Sequence, residues 1–128
     1  MACVLVCVTA QPSSLLLIEQ GALIAKEHGL PLQVLSAVGS GPNLLELPHV
    51  AAALDALYAR ARQVGAEMTM LTTRDPAHTI AAFVREKGAS HLVLGRGSTA
   101  PGSLQSKLTR ELPQTIFHVF DPAELRQA

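Results

Sequence analysis

The chain has no surplus of either charge: ten Lys and Arg stand against ten Asp and Glu in 128 residues. A general nucleic-acid binder normally carries a basic field, so the balance argues against that class. Charged residues are scarce, at 16% against 48% hydrophobic. That ratio excludes a disordered chain. No apolar run approaches the ~20 residues of a membrane span. Met1 is not followed by the charged segment, apolar stretch and cleavage site of a signal peptide. A cytoplasmic location without membrane insertion is the expectation. Only two cysteines occur, Cys3 and Cys7, both in one expected strand. Their Cα atoms would lie roughly 13 Å apart there, beyond the reach of a disulfide, so buried thiols are expected. The five histidines, at 28, 49, 78, 91 and 118, show no metal-ligand spacing. No metal site is expected.

What remains is regular. The length suits one domain spanning 1–128. Cys3–Val8 is apolar at every position, as strands covered on both faces are. A helix follows from about Ser13 to His28 with Ile18, Ala22 and Ala25 on one stripe, and Gly29 stops it. Leu32–Val38 reads as a second strand and Gly39–Asn43 as a loop. Val50, Leu54, Leu57, Ala61 and Val64 mark a second helix. Glu67–Leu71 is a third strand. Asp75 and Pro76 open a third helix as N-cap and first helical residue, and Gly88 closes it. His91–Leu94 is a fourth strand. Ser103 caps a short helix carrying Leu104, Leu108 and Leu112, Thr115–Phe120 is a fifth strand, and Asp121–Ala128 is a polar tail. Strands that alternate with helices predict an α/β fold with a parallel sheet and helices on both faces. Ligands of such folds bind outside the carboxyl ends of the strands.

The segment from His91 to Leu104 carries the most information. It reads as a buried strand, a glycine-rich loop and a helix start, an arrangement that can cradle an anion on backbone N–H groups. Gly95-x-Gly97-x-x-Ala100 fits the dinucleotide pattern, but it follows the fourth strand and runs into Pro101. Gly97-x-x-x-x-Gly102 has P-loop spacing, but Ser103 stands at the lysine and Leu104 at the hydroxyl position.

Strand–Gly–loop–Gly-Ser–helix–strand at the end of a five-stranded α/β domain resembles the universal stress protein family. That family often carries G-x-x-G, nine further residues, then G-[S/T]. The resemblance covers Cys3 to Asp121. Val6–Ser14, Gly102-Ser103-Leu104 through Arg110, and His118-Val119 are similar to the stress-protein-like domain of KdpD potassium-sensor kinases. The family resemblance implies a Rossmann-like three-layer sandwich with strand order 3-2-1-4-5. It also implies a homodimer through the last strand, at Ile116, Phe117, His118, Val119 and Phe120. Nucleotide-binding members place the base between the first two strand ends and the phosphates on the glycine loop. Carried onto this chain, the site is Thr9, Ala10, Ala37, Val38, Gly95, Arg96, Gly97, Gly102 and Ser103. Thr9 stands where ATP-binding members usually have Asp, and Ser98 takes the second glycine position. Six residues separate Gly95 from Gly102, half the family's loop. The cyclic di-AMP pattern of some KdpD-type domains is matched only partly by Pro12–Ser14 and Leu35–Gly39.

Each singled-out residue also has a plain structural reading. Arg96 can meet a phosphate or stay solvated, and Lys107 and Arg110 read as a solvated helix face. Ser103 is an N-cap that can also donate to a phosphate. Ser13 and Ser14 start a helix. His118 is an interface or core residue. His78 beside Asp75 would need a nucleophile to be catalytic, and Asp75 is already the expected cap. No catalytic residue is expected. The expectation is therefore a non-catalytic regulatory domain, with no required cofactor and AMP or ATP as a weak ligand. The alternatives are a ligand-free dimerisation or docking module for a sensor kinase or transporter, and a nucleotide hydrolase or transferase of related fold.

Overall fold

The computed structural model describes residues 2–9, 13–39, 48–96 and 103–121. Five strands alternate with four helices: β1 (Cys3–Val8), α1 (Ser14–His28), β2 (Leu32–Gly39), α2 (Pro48–Gln63), β3 (Glu67–Thr73), α3 (Pro76–Lys87), β4 (Ala89–Gly95), α4 (Leu104–Glu111) and β5 (Ile116–Phe120). The strands form one parallel sheet in the order β3-β2-β1-β4-β5. The fold class and strand order are as expected.

Alternation along the strands divides the core between the two faces. Val4, Val6, Val8, Val34 and Val93 point to one face and pack with Leu17 and Ile18 of α1 and with Leu54 and Leu57 of α2. Cys3, Leu5, Leu35, Leu92 and Leu94 point to the other and pack with Ile80, Phe83 and Val84 of α3 and Leu108 of α4. A carboxylate–guanidinium pair, Glu19 with Arg60, fastens α1 to α2. Gly21 brings α1 close to the sheet: a Cβ there would overlap Val6 Cγ2. Gly29 ends α1 at φ 65°, and Leu30 N–H donates to Ala25 O behind it.

Several boundaries differ from the expectation. β2 continues through Gly39, because Gly39 pairs with Thr73 of a longer β3. β4 starts at Ala89, which pairs with Cys3. Thr115 precedes β5 rather than joining it. Ser13 makes no side-chain cap to α1. Ser14 is the buried hydroxyl there, accepting from Thr9 N–H at 3.2 Å and tying the end of β1 to the first turn. Asp75 and Ser103 do cap their helices, accepting from the N–H groups of His78 and Ser106. Among the described residues, no helix is long and apolar enough to cross a membrane.

Candidate functional site

β1 lies at the centre of the sheet. Chain connections leave it in one direction to β2, and the chain later returns on its other side at β4. Neighbouring connections therefore diverge above the carboxyl ends of β1 and β4, which opens a crevice. A cavity of about 320 Å³ occupies this point. Its floor is Cys7 and Val8 of β1, Ala37 of β2, and Leu94 and Gly95 of β4. Leu17 of α1, Pro76 and Ile80 of α3 and Leu104 of α4 form the walls. Thr9, Ser13, Ser14 and Arg96 supply the polar rim.

The cavity has an apolar body and a polar mouth. Arg96 is the one cation among the described residues that line it. Its side chain is exposed, while its backbone N–H donates to Phe120 O at 2.7 Å. The first turn of α1 has little spare hydrogen-bonding capacity at Ser14, whose hydroxyl faces both Thr9 N–H and Thr9 Oγ1. Cys7 is half-buried and lines the cavity. Burial pushes its thiol up to about 12, so it is neutral and unreactive at ordinary pH. The carboxylate of Asp75 is held by the His78 N–H.

Of the residues expected from the sequence, Thr9, Ala37, Gly95 and Arg96 meet around this cavity. Ser103 sits at its border, capping the helix whose first residue, Leu104, lines it. The backbone of Val38 lies in β2. Ala10, Gly97 and Gly102 lie outside the described residues. Sequence reading missed Cys7, Leu17, Pro76, Ile80 and Leu104 as lining residues. Their signal in the sequence is that of core positions and helix starts, and only the packing of α1, α3 and α4 over the sheet brings them to one crevice. Among the described residues, no group of three or more His, Cys, Asp or Glu side chains is arranged to hold a metal ion.

A family model described as the universal stress protein family matches residues 2–112. Solved structures share the fold. A universal stress protein from Archaeoglobus fulgidus superposes with a TM-score of 0.71 at 19% identity, covering 93% of each chain. A universal stress protein in complex with cAMP gives 0.70 at 19% identity, covering 94% of this chain and 97% of that one. The Archaeoglobus fulgidus protein in complex with dAMP gives 0.65 at 19% identity, covering 94% and 97%. Among curated proteins, no sequence matches this chain.

Proposed function

The chain belongs to the universal stress protein family, and from that premise we propose that it is a non-catalytic regulatory domain whose ligand, held weakly, is an adenine nucleotide with one phosphate. The observation that carries this reading is the cavity at the switch point between β1 and β4, apolar within and bordered, among the described residues, by one arginine. Its volume is at the small end of ligand pockets, which run from about 300 to 1,000 Å³. That suits one base and sugar. A nucleoside in the apolar body would direct its phosphate to the mouth, where Arg96 can neutralise one unit of charge. A triphosphate would bring further charges that the described rim does not balance. Two related structures were solved with single-phosphate adenine nucleotides, cAMP and dAMP, which supports the same ligand class. AMP fits this account better than ATP, and neither is a required cofactor.

Thermal shift with AMP, cAMP, dAMP, ATP and cyclic di-AMP tests it. The single-phosphate ligands should raise Tm at millimolar concentration, and ATP should add no more than AMP. No shift with any of them would overturn the nucleotide reading.

A second reading is a dimerisation module, and the place of β5 at the end of the strand order favours it. Among the described residues, β5 pairs only with β4. Ile116 at its start is 53% exposed. An apolar strand edge invites another strand, so the run Ile116–Phe120 is the proposed homodimer seam. Docking to a sensor kinase or a transporter would be the use of such a module. Light scattering on wild type and Ile116→Lys separates the cases: a dimer that becomes monomeric supports the seam, and a wild-type monomer removes it.

A further inference from the structure

Three imidazoles from three elements meet beneath the edge of the sheet, away from the cavity: His28 ends α1, His91 lies in β4 and His118 lies in β5. His91 is 6% exposed. Its Nδ1 lies 2.9 Å from Nε2 of His118. The ring centroids are 5.2 Å apart and the planes differ by 21°. That separation is what two rings joined nitrogen to nitrogen require, so they meet edge to edge. His28 covers the ring of His91, with centroids 4.5 Å apart and a tilt of 37°.

The groups around His91 can be named element by element. β1 presents Val4, its register partner, and β5 presents Ile116 and His118. α1 presents His28. Lys26, on the same turn of α1, lines a separate groove with Leu30 and Val64. Glu27 beside it is exposed. Lys87 carries its ammonium over the ring of Phe83, on the opposite face of the sheet. Among the described residues, the charges that act on His91 are therefore those of two other histidines.

We propose that His28, His91 and His118 form a proton-operated latch that holds the first half of the edge strand β5 on the sheet and loosens it in acid. A hydrogen bond between two imidazoles needs one N–H and one lone pair. A proton on His118 alone preserves it, because an imidazolium still donates to a neutral ring. A proton on His91 as well sets two donors against each other at 2.9 Å, with the His28 ring pressed on the same charge. Burial, then His28 and His118, hold His91 below the ordinary imidazole value of 6.5, so the latch stays closed near neutrality and opens only on acidification. The carboxyl end of β5 has its own fastening, Arg96 N–H to Phe120 O, so the loosening is confined to Ile116–His118.

Amide hydrogen exchange on the full chain tests this, with protection factors corrected for intrinsic rates at pH 7.5 and pH 5. Protection of the Ile116–His118 amides should fall about tenfold or more, while β1 and β2 amides change less than about threefold. His91→Gln, which does not titrate, should abolish the difference. A uniform change, no change, or an undiminished fall in His91→Gln would overturn the latch. Should that variant fail to fold, ring ¹⁵N titration of the wild type decides. The β5 loss must follow protonation of His91, and loss while that ring is still neutral overturns the proposal.

Discussion

The backbone N–H of Arg96 donates to the carbonyl of Phe120 at 2.7 Å. One residue thus serves two purposes: its peptide group fastens the end of β5, and the residue lines the cavity. The two uses separate by substitution. Arg96→Ala keeps the peptide N–H and removes the charge. It should weaken AMP binding about tenfold, the worth of a charge-assisted hydrogen bond, with stability unchanged. Arg96→Pro removes the N–H and leaves the Phe120 carbonyl unpaired. It should cost about 1–3 kcal/mol of stability. Calorimetric titration and urea denaturation of both variants read the two effects.

Gly21 is a second point where one atom decides. A methyl there meets Val6 Cγ2 in the fully buried layer between α1 and β1. Overpacking of this kind costs about 1–3 kcal/mol, against a helix-propensity gain of about 1 kcal/mol for Gly→Ala. Gly21→Ala should therefore be destabilising in urea denaturation. Val6→Ala should cost less in the Gly21→Ala background than in the wild type, a favourable coupling between the two sites.

Stability should fall on the acid side. His91 is held below 6.5 in the folded chain, so the unfolded chain binds more protons in the window beneath that value. The contribution of His91 is complete above 6.5 and is lost as the pH falls through its folded value. Tm measured from pH 7.5 down to pH 5 should decline over this range, and His91→Gln should flatten the curve.

Neither thiol should be reactive in the native state. Cys7 is pushed up to about 12 by burial, and burial also raises Cys3, with Lys87 opposing. At pH 8 a disulfide reagent should label neither cysteine quickly, and both only after denaturation. Rapid labelling of Cys7 in the native chain would contradict the raised thiol.

The sequence made the layers legible because each rests on a local signal. The unbroken apolar run of β1, the Asp75-Pro76 start of α3 and the stripe Leu54–Leu57–Ala61 of α2 need no partner to be read. Gly39 reads as loop by composition, and its place in β2 is set instead by pairing with Thr73, 34 residues on in the chain. The His91–His118 bond was hidden for the same reason: it depends on the register in which β5 meets β4. At the cavity, the polar rim was legible from the glycine segment and the end of β1. The walls were not, since Ile80 and Leu17 look like any other core positions until the helices are placed.

The central claim is that an adenine nucleotide with one phosphate sits at the β1–β4 switch point. Titration of ¹⁵N-labelled protein with AMP, followed amide by amide, tests it most directly. Thr9, Ala37, Gly95 and Arg96, which border one cavity, should shift together and saturate with a single dissociation constant. The β3 amides should stay still. No saturable shift at millimolar AMP, or shifts centred away from these four residues, would contradict the account.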